Sequence, residues 1–79
     1  MPAFDISIKY VAPMYRLRVK EPDGSISVYG GRSVEEVRGK LHASRDSLIE
    51  ILRTKGEVVP EWEEDLRLEV DAKCRQLVS

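Results

Sequence analysis

The sequence predicts an α+β fold, an antiparallel three-stranded β-meander with two helices packed on one face. Three observations predict it. Through about the first thirty positions apolar and polar residues alternate, the period of half-buried strands. From Ser33 onward apolar residues recur at three- and four-residue spacing, the period of an amphipathic helix. Proline and glycine fall between these segments and not within the strands.

The elements follow in order. In "FDISIKYV", Phe4, Ile6, Ile8 and Tyr10 alternate with Asp5, Ser7 and Lys9, a first strand. "APM" breaks it with Pro13, and "YRLRVK" alternates again, with Tyr15, Leu17 and Val19 on one face and Arg16, Arg18 and Lys20 on the other. "EPDG" is a turn: Pro22 presets φ, Asp23 bonds back to the backbone, and Gly24 accepts a positive φ. "SISVY" is the third strand, expected to turn Ile26 and Val28 inward, and Gly30 and Gly31 end it.

"SVEE" has the capping-box spacing, Ser33 as cap and Glu36 three residues on. Val34, Val37, Leu41, Leu48, Ile51 and Leu52 give the first helix its apolar stripe. Gly39 inside that helix is open to a close approach to the sheet. Gly56 ends the helix, with Arg53 and Lys55 in the last turn where cations suit the dipole. A second helix is expected from Pro60 to about Val78, with Trp62, Leu66, Val70, Cys74 and Leu77 as its stripe. Three acid-to-base pairs support it at i,i+4: Glu63–Arg67, Glu69–Lys73 and Asp71–Arg75. A strand at "LRLEV" is the competing reading, since Leu66, Leu68 and Val70 also alternate.

Seventy-nine residues make a single domain, 1–79. A chain this short buries only about 60% of its unfolded surface, so each core residue counts. Its 42% hydrophobic content sustains one modest core despite 34% charged residues, which argues against a disordered tail. No apolar run reaches the ~20 residues of a membrane span, and "MPAFDISIKY" lacks the pattern of a secretory signal. One cysteine, Cys74, permits no intramolecular disulfide, which fits a reducing cytoplasm, the host cytoplasm if the gene is phage-borne. On the apolar stripe it is expected to be a buried thiol; exposed, it would form an intermolecular disulfide.

No catalytic constellation emerges. His42 is the only histidine; Asp46 lies one helical turn on, and Ser44 and Ser47 are near in sequence, yet one helix face cannot align nucleophile, base and orienter. One Cys and one His in separate segments make no metal site, Glu63–Asp65 on consecutive helix positions point apart, and "GG" lacks the P-loop spacing and lysine. The expectation is a non-enzymatic protein without cofactor or metal.

What remains is surface charge. The net charge is −1, but residues 1–55 carry ten Lys/Arg against seven Asp/Glu, a net +3, and residues 56–79 carry three against seven, a net −4. Lys9, Arg16, Arg18 and Lys20, with Ser25, Ser27 and Tyr29, are expected on the sheet face away from the helices, a basic surface for phosphates or an acidic protein. Its ordinary reading is the solvated side of a two-layer domain. "EVVPEWEED" gathers Glu57, Glu61, Glu63, Glu64 and Asp65 into an acidic surface, which either serves the helix dipole after Pro60 or occupies a basic groove made for nucleic acid.

"GGRSVEEVRGKL" followed by "KGEVVPE" resembles the N-terminal domain of HicB-type antitoxins over about residues 15–61. The resemblance implies a meander leading into a helix opened by an acid pair, and a small toxin as partner. The Gly-Cys segment of that family and its DNA-binding domain have no counterpart. In class, a short chain with polarised charge and no catalytic centre is similar to small phage-encoded inhibitors, anti-CRISPR proteins among them. That implies binding to a CRISPR effector, a larger protein or ribonucleoprotein, so as to block its nucleic-acid path. "GRSVEEVRGKL" also looks like the second helix of a ribbon-helix-helix repressor, but the multi-strand start does not. Direct nucleic-acid binding through the basic sheet face is a further expectation, and the chain itself is expected to be a monomer or weak dimer.

Overall fold

The computed structural model describes residues 4–78. Three strands, β1 (Asp5–Val11), β2 (Met14–Lys20) and β3 (Ile26–Gly31), precede two helices, α1 (Val34–Thr54) and α2 (Glu63–Val78). The sheet is an antiparallel meander in the order β1-β2-β3, so the predicted fold class is the observed one.

The first hairpin pairs Val11 with Met14 around Ala12 and Pro13, joined by a cis peptide. In the second, Gly24 has φ 92°, its N–H donates to the Glu21 carbonyl (2.9 Å), and the Ser25 N–H donates to Asp23 Oδ1 (2.8 Å). This turn sets a register that sequence patterning misassigned. Lys20 pairs with Ile26, Arg18 with Val28 and Arg16 with Gly30. Directly opposed residues share a face. Ile26 and Val28 therefore stand on the outer face with the cations, 52% and 56% exposed. Ser27, Tyr29 and Gly31 face the helices, opposite Val19, Leu17 and Tyr15.

Gly31 fits there because α1 begins against it: a Cβ at that position would lie 2.7 Å from Glu36 Oε2 and 3.0 Å from Val37 Cγ1. Ser33 caps α1, its Oγ accepting the Glu36 N–H (3.1 Å), while Glu36 turns back to the Arg32 N–H. The helix ends in a Schellman motif. The Gly56 N–H (φ 75°) bonds to the Arg53 carbonyl at 3.1 Å, and the Glu57 N–H to the Leu52 carbonyl at 2.8 Å.

The core is Ile6, Leu17, Val19, Val34, Val37, Leu41, Leu66, Val70 and Cys74. The apolar stripe of α1 joins it only as far as Leu41. Twenty-one residues give α1 a length of about 31 Å, more than a seven-residue strand of about 24 Å spans. Leu48 and Ile51 are accordingly exposed beyond the core. Gly39 makes no close approach to the sheet: it is exposed, with nothing within 4 Å of an added Cβ.

The 66–70 segment is helical, not a strand. Leu66 and Val70 are buried one turn apart while Leu68 is 56% exposed. Leu77, expected on the stripe, is also exposed. The helix starts at Glu63, three residues after Pro60. Pro60–Trp62 form a turn whose Pro60 and Trp62 carbonyls accept the Glu63 and Leu66 N–H groups (3.2 and 3.0 Å). Among the described residues, no helix is long and apolar enough to cross a membrane.

Candidate functional site

Among the described residues no element covers the side of the sheet away from the helices. Alternation turns Asp5, Ser7 and Lys9 of β1 and Arg16, Arg18 and Lys20 of β2 onto it. Lys9 lies directly opposite Arg16, and Ser7 opposite Arg18. Along β2 the three cations recur every second residue, about 6.8 Å apart. All four cations are exposed, and among the described residues none makes an ion pair. Lys9, Arg16, Arg18 and Ser7 rim a shallow depression. The expected basic surface is therefore brought together by the register. Its polar flank is not: Ser27 and Tyr29 face the helices, and the Tyr29 hydroxyl meets Ser44 Oγ at 3.3 Å. Ile26 and Val28 take their place, so the surface has a row of cations beside an aliphatic border and no aromatic ring for stacking.

The acidic surface is reduced. Glu57, Glu61, Glu64 and Asp65 are exposed, but Glu63 is only 4% exposed and points inward. Its carboxylate accepts two hydrogen bonds from Arg45, one from Nε at 2.8 Å and one from Nη2. Arg45 itself is 4% exposed, also donates from Nη1 to Glu21, and lies 5.6 Å from the Trp62 ring centroid. Arg67 adds Nε to Glu63 at 3.3 Å and pairs through Nη2 with Asp46 at 2.7 Å. The chain Glu21–Arg45–Glu63–Arg67–Asp46 thus ties the β2–β3 turn, the middle of α1 and the first turn of α2 together. Glu63 belongs to this tie and is no part of a partner-binding surface.

Electrostatics follow the geometry. Burial pushes the Glu63 carboxyl up, but the hydrogen bonds and charge of Arg45 and then of Arg67 outweigh it and leave the group below its ordinary value. Arg45, held chiefly by the Glu63 hydrogen bonds against the opposing effect of burial, is even more firmly protonated than a free guanidinium.

A second polar cluster joins α1 to α2. His42 Nε2 and Arg38 Nε lie 2.7 and 2.8 Å from the same oxygen, Asp71 Oδ1. Burial raises the Asp71 carboxyl, and these two partners bring it below its usual value. His42 therefore pairs across the helices and not with Asp46, and Asp71 faces α1 instead of Arg75. Of the three pairs expected along α2, only Glu63–Arg67 forms. Cys74 is 1% exposed and burial pushes its thiol up, so it is a core residue and not a surface nucleophile. Among the described residues no group of three His, Cys, Asp or Glu side chains is placed to hold a metal ion.

Sequence reasoning missed Arg45. The signal was present: Arg45 occupies the position four residues after Leu41, where the stripe of α1 calls for an apolar side chain.

With this geometry in hand, comparison with known proteins finds no matching family model, no matching curated protein and no matching solved structure.

Proposed function

We propose that this chain is a non-enzymatic binding protein that attaches stoichiometrically to an anionic partner through the open face of its sheet. The observation that carries the reading is the set of four cations, Lys9, Arg16, Arg18 and Lys20, adjacent in register, exposed and without ion pairs among the described residues. Grouped on one face, these cations speed encounter with a negative partner, and ordering their long side chains is a cost that the contacts must exceed. The aliphatic border of Ile26 and Val28 suits a protein-containing target, and the lack of aromatic rings disfavours base stacking as the main source of affinity.

In its concrete form the reading is an anti-CRISPR-like inhibitor. The chain binds a CRISPR effector ribonucleoprotein, which presents both anionic strands and protein surface, and obstructs its nucleic-acid path. Reversing Arg16 and Arg18 to Glu tests it, because both side chains are exposed and unpaired and the fold should persist. Wild-type chain is expected to retain an effector subunit from a CRISPR-bearing lysate, and R16E/R18E to lose it. Recovery of no effector subunit sinks this form. Retardation of bare DNA or RNA that weakens steeply with salt would instead make the chain a direct nucleic-acid binder.

One observation favours a second reading, a HicB-like antitoxin. The residues carrying that resemblance form a working joint, with Gly31 packed under Glu36 and Val37, and Ser33 and Glu36 capping α1. A small toxin gene beside this one, and relief of that toxin's growth defect on co-expression, would move the assignment there.

A further inference from the structure

The two edges of the sheet differ. At β3, the Lys40 ammonium reaches the Gly30 carbonyl (2.5 Å) and α1 lies against the strand. That bond engages a backbone carbonyl of β3, whereas the charges of β1, Asp5 and Lys9, are of opposite sign. Among the described residues no further strand pairs with the outer edge of β1. Its seven residues pair with β2 in unbroken register, with no proline and no bulge. The inward side of β1 is also incompletely covered: Ile6 is buried, Phe4 and Ile8 are half-buried, and Tyr10 is 59% exposed. A groove beside it is lined by Ile6, Ser7, Ile8, Lys73, Gln76 and Leu77, with Leu77 53% exposed.

We propose that β1 is a self-pairing edge, along which two copies of the chain join antiparallel into one six-stranded sheet with Ser7 opposite Ser7 of the second copy. The strand is complementary to itself in that register. Asp5 falls opposite the second copy's Lys9, and Lys9 opposite its Asp5, giving two cross-strand ion pairs on the open face. Ile6 falls opposite Ile8, and Phe4 opposite Tyr10, giving a continuous apolar row on the helix face. Opposed residues have the same parity, so outward-pointing backbone groups meet outward-pointing ones. Charge selects this register. A shift of two residues places Asp5 opposite Ser7 or Val11 and loses both ion pairs. A one-residue slip puts the apolar row against the polar one. The groove beside α2 then receives apolar side chains of the second copy, which covers the Leu77 side of the domain.

This inference engages Lys9, one of the four cations of the anionic-partner reading, and leaves Arg16, Arg18 and Lys20 on the open face for that partner. Cysteine scanning tests the register. Directly opposed Cβ atoms lie about 4.5–5.5 Å apart, so Ser7→Cys is expected to form a disulfide-linked dimer under mild oxidation. Lys9→Cys sets the two thiols about 14 Å apart along the strands, beyond disulfide reach. Cys74 is 1% exposed, so it does not compete.

Sedimentation equilibrium supplies the second readout. Each reversal acts twice in a symmetric pair, so D5K and K9D should each weaken dimerisation about tenfold or more. The swap D5K/K9D should restore it, and E61K/E64K, exposed and outside the sheet, should leave it unchanged. A wild-type chain that stays monomeric at millimolar concentration overturns the proposal. So does equal cross-linking of the Ser7→Cys and Lys9→Cys variants, or capture of a foreign strand by a β1 that never self-associates. Loss of dimer in E61K/E64K places the interface at the start of α2 and overturns it too.

Discussion

Arg45 and Glu63 are the two residues on which the tertiary arrangement most depends. An isolated charge at 4% exposure is costly, and each is tolerated only because the other is in place. Glu63→Gln leaves the Arg45 guanidinium with Glu21 as its single anionic partner. The expected cost is about 3 kcal/mol, a large share of the roughly 5–15 kcal/mol available to a small domain, visible as a lower urea midpoint with unchanged m-value. Replacing both by Met in R45M/E63M should cost less than E63Q alone, because the charge then left without its partner is Glu21, which lies at the β2–β3 turn and is less buried than Arg45.

The same residues set the pH response. Glu63 and Asp71 both titrate lower in the folded chain than their ordinary values. Each therefore adds stability above its unfolded pKa, and that stability is lost as pH falls through the folded one. The melting temperature should be level from neutrality to about pH 5 and drop below about pH 4.3, less steeply in E63Q/D71N than in wild type. A wild-type profile flat to pH 3 would contradict this assignment. Of these partners only Arg67 was readable in the sequence, at i,i+4 from Glu63; Arg45, Arg38 and His42 were not, because cross-element ion pairs need the packing first. The i,i+4 spacing that suggested Asp71–Arg75 is a weak local force, and the facing Arg38 and His42 overcame it.

At the scale of elements, helix and strand identity was legible except at 66–70, where alternation kept a strand open beside the helix, and β3 orientation was not. Ser25–Tyr29 alternates as any strand does, and hydrophobicity alone turns Ile26 and Val28 inward. The Glu21–Ser25 turn pairs Lys20 with Ile26, and that one pairing fixes the face of every later residue. The glycines test the register. Gly31→Ala should lose about 1–3 kcal/mol, since its Cβ meets Val37 Cγ1 and Glu36 at about the joint of β3 and α1. Gly30→Ala, with nothing within 4 Å, should stay within about 0.5 kcal/mol of wild type. Equal costs at the two positions would mean the register is wrong. Gly39→Ala, exposed and uncrowded in the middle of α1, should stabilise by about 0.5–1 kcal/mol in the same denaturation series. The apolar stripe of α1 was legible too, but not how far the core reaches along it. That depends on where α2 starts, and Glu63 starts it beside Arg45.

For the whole molecule, the polarity of charge was visible in the sequence and its consequences were divided by the fold. The acidic half gives up Glu63 to the interior and places Glu64 and Asp65 in the first turn of α2, where the helix dipole accommodates them. The basic half keeps its four sheet cations exposed, and among the described residues none of them makes an ion pair. That asymmetry makes the open sheet face, and not "EVVPEWEED", the surface on which binding is expected to depend. Quantitative capture of a CRISPR effector complex by wild type, R16E/R18E and E61K/E64K, each first shown to be folded by circular dichroism, tests it most directly. The prediction is capture by wild type and by E61K/E64K, and loss with R16E/R18E. Capture that survives R16E/R18E and disappears with E61K/E64K would contradict it, as would the absence of any effector subunit with the wild-type chain.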